Sequence, residues 1–125
     1  MKVKCIKLLN ADGKEVEFSP WLTLGREYPV LSIDISDSGK ISYRIVTSER
    51  DGFWPDMGLH QADCFEVTST IIPSNWRVRI YKNKGLSIYP DTWQDNWFLE
   101  AFYDRDPKAF PIFQQEYQKI LTEDP

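Results

Sequence analysis

The chain has 125 residues, enough to bury a core as one domain without disulfide or metal staples. Its hydrophobic share of 42% excludes a disordered chain, and its net charge of −4 argues against a general nucleic-acid binder, which needs a basic domain or stripe. No run approaches the ~18 apolar residues of a membrane span, and Met1-Lys2-Val3-Lys4-Cys5 lacks the apolar stretch of a signal peptide. The expectation is a cytoplasmic protein that does not enter a membrane.

Residues 2–9 read as a first strand whose apolar phase switches from Val3 and Cys5 to Ile6 and Leu8, the mark of a bulge or of burial on both faces. Asn10-Ala11-Asp12-Gly13 is a tight turn, and residues 15–18 return as a short strand. Residues 19–29 carry two prolines and a glycine among apolar side chains, so they are expected to form a loop folded back over the core. Leu31, Ile33 and Ile35 alternate with polar residues, as do Tyr43 and Ile45 with Ser42 and Arg44. Asp37-Ser38-Gly39-Lys40 joins these two runs as a hairpin, with the apolar set facing inward. Residues 50–60 read as a second loop, bearing Phe53 and Trp54. Residues 63–69 form a short strand with Phe65 and Val67 inward. Trp76, Val78 and Ile80 then alternate with Arg77, Arg79 and Tyr81, before a turn into residues 86–89.

After Pro90 the period becomes helical. Asp91 is placed as an N-cap, with Trp93, Trp97, Phe98 and Phe102 on one face. A last helix runs from about Pro107 or Pro111 to Thr122, with Phe113, Tyr117, Ile120 and Leu121 as its apolar stripe. Charge segregates with this change of period. Residues 91–125 hold eight acids and three bases, a net −5, whereas residues 1–90 carry +1.

No set of residues spells out a reaction. Cys5 and Cys64 are too distant in sequence for a CxxC motif and read as small buried hydrophobes. His60, the only histidine, has Cys64 four residues on as the one nucleophile it could serve. The pair lacks an orienting third group, and Phe65 beside the thiol favours an inert cysteine. The glycines are isolated turn residues, not a phosphate loop. Asp34, Asp37, Glu49, Asp51 and Asp56 lack calcium-loop spacing. No catalytic, cofactor or metal site is expected.

Two binding surfaces remain. Trp21 and Trp54 stand in proline-flanked loops, where a large ring is hard to bury, and Asp95, Glu100, Asp104 and Asp106 give the tail a negative face with aromatics at its rim. Charge there would steer a basic protein partner while the aromatics anchor it. The alternative is a nucleic-acid or peptide site on Arg77, Arg79 and the loop tryptophans. Against it, cations on a strand also serve to blunt an edge against aggregation.

Leu24-Gly25-Arg26-Glu27-Tyr28-Pro29-Val30-Leu31-Ser32-Ile33, followed by Ile41-Ser42-Tyr43-Arg44-Ile45-Val46, resembles the G-x-x-Y-x-V … Y-x-I pattern of small bacterial SH3-like barrels. Phe65-Glu66-Val67 is similar to their closing strand, so the resemblance covers roughly residues 20–70. The tail from Trp93 to Tyr103 with Asp106-Pro107 resembles C-terminal extensions of small bacterial proteins, some of them immunity proteins that neutralise secreted polymorphic toxins. The resemblance implies an α+β, mainly β single domain over 1–125. Residues 1–90 would form a barrel of five to six antiparallel strands, and residues 91–125 a two-helix appendage packed on it. The lack of a catalytic set leaves a non-enzymatic, protein-binding function as the expectation, and the resemblance implies its most specific form, an immunity-type toxin inhibitor.

Overall fold

The structure, a computed structural model, describes all 125 residues and is α+β, mainly β, with antiparallel sheets followed by two helices. The strands are β1 (Lys2–Cys5), β2 (Leu8–Leu9), β3 (Glu15–Val16), β4 (Glu27–Pro29), β5 (Ser32–Ile35), β6 (Ile41–Ser48), β7 (Asp56–Gln61), β8 (Phe65–Ser69), β9 (Trp76–Ile80) and β10 (Leu86–Pro90). They form a three-stranded sheet β4-β1-β8, a five-stranded sheet β7-β6-β5-β10-β9 and a small ribbon β2-β3. These pairings are three open sheets, and none of them closes a barrel. The helices are α1 (Phe98–Tyr103) and α2 (Ala109–Glu123), preceded by a 3-10 turn, Asp91–Gln94.

The five-stranded sheet is the middle layer. On one face, Ile45 with Ile33, Tyr43 and Ile88 packs against Val3, Cys5, Tyr28 and Phe65 of the smaller sheet and its flanks. On the other, Leu31, Val46, Met57 and Tyr89 meet Trp93, Phe98, Phe102, Phe113, Tyr117 and Ile120 of the tail. A β-bulge makes the switch between faces. Ser32 stands opposite Arg44, and the Leu31 N–H also donates to the Arg44 carbonyl, so two residues face one. The chain thereby leaves the smaller sheet, where Val30 N–H bonds Met1 O, and enters the larger one. Leu31 consequently enters the helical core instead of sharing a face with Ile33, as plain alternation would have it.

Several expectations need correction. Residues 56–61 are strand β7, not loop, although Gly58 and His60 are poor strand formers. Eight-residue β6 offers a complete edge for pairing, and that tertiary template overrides propensity. Residues 27–29, read as loop, form β4 on β1. Arg44, read as solvent-facing, is buried because α1 covers that end of the sheet. Val67, placed inward, is 46% exposed because β8 is an edge strand. The helical period does not begin at Asp91. Asp95 and Asn96 interrupt it, and Trp97, read as core, is left 44% exposed against Phe98.

The tail is fixed by aromatic packing and by its own acids. Trp93 stacks between Phe98 and Phe113, with ring centroids 5.3 and 5.8 Å away. Asn75 Nδ2 donates to Glu116 Oε2 at 2.7 Å, Ser69 Oγ to Asp124 Oδ2 at 2.7 Å, and the Tyr117 hydroxyl to Glu49 at 3.0 Å. Burial and then the Glu49 carboxylate push the Tyr117 phenol well above its ordinary value, so it stays a donor. Pro111 falls in the first turn of α2, where its missing N–H costs nothing. Phe113→Ala is expected to cost ~3–5 kcal/mol in urea unfolding, the usual cavity penalty of a buried aromatic. Trp97→Ala should cost less than ~1 kcal/mol, since its ring is half in solvent. Equal midpoint shifts for the two variants would contradict this packing.

Candidate functional site

A cleft of about 770 Å³ opens beside β7, the terminal strand of the five-stranded sheet. All six residues of the strand, Asp56 to Gln61, line it. Successive strand side chains point to opposite faces, so the cleft runs along the strand's free edge and not over one face. One wall is the segment Phe18–Leu22 after β3. The other is Trp54 with Phe102, Tyr103 and Arg105 from the end of α1.

Each wall has a local cause. Ser19 Oγ accepts from the N–H groups of Trp21 and Leu22, a side-chain turn that buries Leu22 and turns Trp21 outward. Trp21 is 60% exposed and lies 6.4 Å from the His60 ring. Trp54 is half-buried, its ring held between Phe102 and Phe110 at 5.3 and 5.5 Å. Buried Arg44 reaches through from β6 and donates to the Tyr103 hydroxyl at 2.6 Å and to Ser32 Oγ at 3.3 Å, fixing that corner. Arg105 adopts a left-handed backbone, φ 59°, at the helix end, where the chain reverses toward α2.

The cleft thus brings Trp21 and Trp54 together across its opening, although 33 residues separate them in sequence. The four acids do not line it. Asp95, Glu100 and Asp104 are exposed and free of ion pairs, with Glu100 and Asp104 four residues apart on the segment that supplies Phe102 and Tyr103. Asp106 is half-buried and accepts from the Lys108 N–H at the start of α2, a structural role. Sequence reasoning missed Phe18, Leu59 and Tyr103, exposed apolar or aromatic side chains that line the cleft. Their signal was present only as loop segments unusually rich in large apolar residues.

His60 and Cys64 both line the cleft. The Cys64 side chain is buried, and desolvation pushes its thiol above the ordinary value. Burial lowers the His60 imidazole, leaving it neutral at physiological pH. A protonated thiol beside an uncharged ring is the reverse of an activated thiolate–imidazolium pair. No group of three or more His, Cys, Asp or Glu side chains is gathered as a metal site. Both cysteines are free and buried, and no helix is long and apolar enough to cross a membrane.

No protein-family model, curated protein or solved structure matches this chain.

Cys64 is expected to react slowly with a thiol reagent at pH 7 in the folded protein, and at the rate of a free thiol in denaturant. The depressed His60 value sets a second expectation. Unfolded His60 takes up its proton near its ordinary value, while the folded ring takes it up only at lower pH. Stability is therefore full above that ordinary value and declines as pH falls from it toward the folded value. A His60→Asn variant should lose less stability than the parent between about pH 7.5 and 5.5, measured by urea denaturation.

Proposed function

We propose that this protein is a non-enzymatic protein-binding module whose principal binding surface is the aromatic cleft beside β7. The observation that carries the reading is the concentration of exposed large side chains around one opening. Phe18, Trp21, Leu59 and Tyr103, all part of its lining, are 76, 60, 45 and 49% exposed. Water-exposed aromatics gathered at a groove between rigid walls are what protein interfaces use as anchors. The unpaired edge of β7 adds backbone donors and acceptors to the same floor. The non-catalytic part rests on the raised thiol and lowered imidazole values, which leave the cleft without an activated nucleophile.

The partner we infer presents a basic face. Glu100 and Asp104 stand unneutralised beside the cleft wall, where they would steer approach, while the aromatics would govern residence time. The most specific form of the reading, an immunity-type inhibitor of a secreted bacterial toxin, draws its support from the sequence style of the tail.

The test captures a partner on immobilised protein at low salt and then compares variants against it. Trp21→Ala should raise the dissociation rate, weakening binding by ~1–3 kcal/mol. Glu100→Lys with Asp104→Lys should slow association and flatten its salt dependence, with the thermal midpoint unchanged. A captured protein that both variants bind as tightly as the parent would place the interface elsewhere. Recovery of nucleic acid, lost on changing Arg77 and Arg79, would favour the basic-strand alternative.

A further inference from the structure

The opposite edge of the five-stranded sheet carries a second surface, chemically unlike the cleft. β9 is the last strand there, paired with β10 alone. Its register is Ile80 with Leu86, Arg79 with Ser87, Val78 with Ile88 and Arg77 with Tyr89. The Tyr81 N–H donates to Gly85 O at one end, and the Asp91 N–H to Asn75 O at the other. In an antiparallel ladder the hydrogen-bonded pairs alternate. Arg77 and Arg79 therefore turn their backbone groups toward β10, whereas Val78 and Ile80 turn theirs outward. The Trp76 carbonyl also lies on that edge, but the Arg77 guanidinium already occupies it at 2.8 Å. What remains is an open edge of two N–H and two C=O groups, from Val78 and Ile80.

The side chains at this edge are sorted by face. Val78 and Ile80 are 59 and 73% exposed, and a row of apolar residues, Ile80, Leu86, Ile35 and Ile41, runs inward across four strands. The other face holds Arg77 and Arg79, with Lys82 and Lys84 in the following turn. None of these four cations has a carboxylate within 4 Å, the chain's two ion pairs lying elsewhere. Arg79 donates to Gln94 O and Asn96 Oδ1, which places Asp95 in its neighbourhood without an ion pair. Arg79 is half-buried and its guanidinium also lies over the Tyr81 ring at 5.3 Å, whereas Arg77, Lys82 and Lys84 are exposed.

We infer that β9 is a strand-addition site for an extended segment of a partner protein whose side chains alternate between acidic and aliphatic. Residues directly opposite in a ladder share a face. An incoming strand must therefore set aliphatic side chains beside Val78 and Ile80, and carboxylates beside Arg77 and Arg79. Charge complementarity selects this occupant. A second copy pairing β9 with β9 would bring Arg77 and Arg79 of each chain against those of the other, and like charges directly opposite oppose pairing. A nucleic acid would use the cations but leave Val78, Ile80 and their backbone groups without partners.

The probe is an eight-residue peptide of alternating Glu and Val. Its controls are a peptide of the same composition with the glutamates in one block, and a peptide of alternating Lys and Val. The Glu-Val peptide should bind, slow hydrogen exchange at the Val78 and Ile80 amides, and weaken as salt rises. Val78→Pro removes one outward N–H without touching the β9–β10 ladder, and should weaken binding at least tenfold. If that variant fails to fold, the exposed pair Arg77→Glu and Lys82→Glu decides, by weakening the Glu-Val peptide at least tenfold and improving the Lys-Val one. Trp21→Ala should leave this binding unchanged, which separates the site from the cleft. Equal binding of the blocked peptide, protection at β7 in place of β9, displacement of the peptide by single-stranded DNA, or self-association abolished by Val78→Pro would each overturn the assignment.

Discussion

Leu31, at the entry to β5, and Ile45 of β6 face opposite cores, and this double burial of one sheet is the constraint on which the remaining elements depend. A sheet with apolar side chains on both faces is unstable in water until both are covered. The three-stranded sheet covers one face and the helical tail the other. The bulge at Leu31 and Ser32 makes this possible, because it lets one chain segment serve the smaller sheet and then the larger without breaking its hydrogen bonds. The coverage is also incomplete, and the two proposed binding surfaces lie where it stops. The smaller sheet stops short of β9, leaving Val78 and Ile80 in solvent, and α1 ends beside β7, leaving a cleft.

The acids of the tail divide by the same geometry. Glu116, Glu123 and Asp124 point at the sheet side and accept hydrogen bonds from Asn75, Ser74 and Ser69, and Asp106 starts α2. The Ser74 hydroxyl and N–H hold the Glu123 carboxyl below its ordinary value, so that acid remains ionised while it clamps the end of the helix. The exposed negative charge of the tail is therefore smaller than its sequence total, and centres on Asp91, Asp95, Glu100 and Asp104. The cations show the converse. Arg44 is buried on hydroxyl partners, while those around β9 keep their charge at the surface.

The two edges of the central sheet thus offer different chemistry. The β7 edge is recessed between aromatic walls, whose rings have few rotamers to lose on contact. The β9 edge is open and amphipathic, so selectivity there comes from matching a two-residue repeat. The proposed occupants of the two edges accordingly differ in charge.

Elements whose apolar period has a single interpretation could be read from the residues alone. The hairpin joining residues 32–35 to 41–48, the Asn10–Gly13 turn, the β9–β10 pair and the apolar stripe of α2 were legible because alternation or 3.6-residue spacing there agrees with local turn chemistry. The α+β order, with strands first and helices last, followed from that change of period, as did two buried thiols from their apolar flanks. The rest came from long-range contacts. Gly58 and His60 became strand because β6 presented an edge to pair with, and Arg44 became buried because α1 lies over it. Trp21 and Trp54 became walls of one cleft because β7 runs between their loops. Periodicity reports which side of an element is apolar, but not what covers that side or whether both sides are covered. That depends on contacts between residues distant in the chain, and those contacts place the cleft and leave the edge of β9 open.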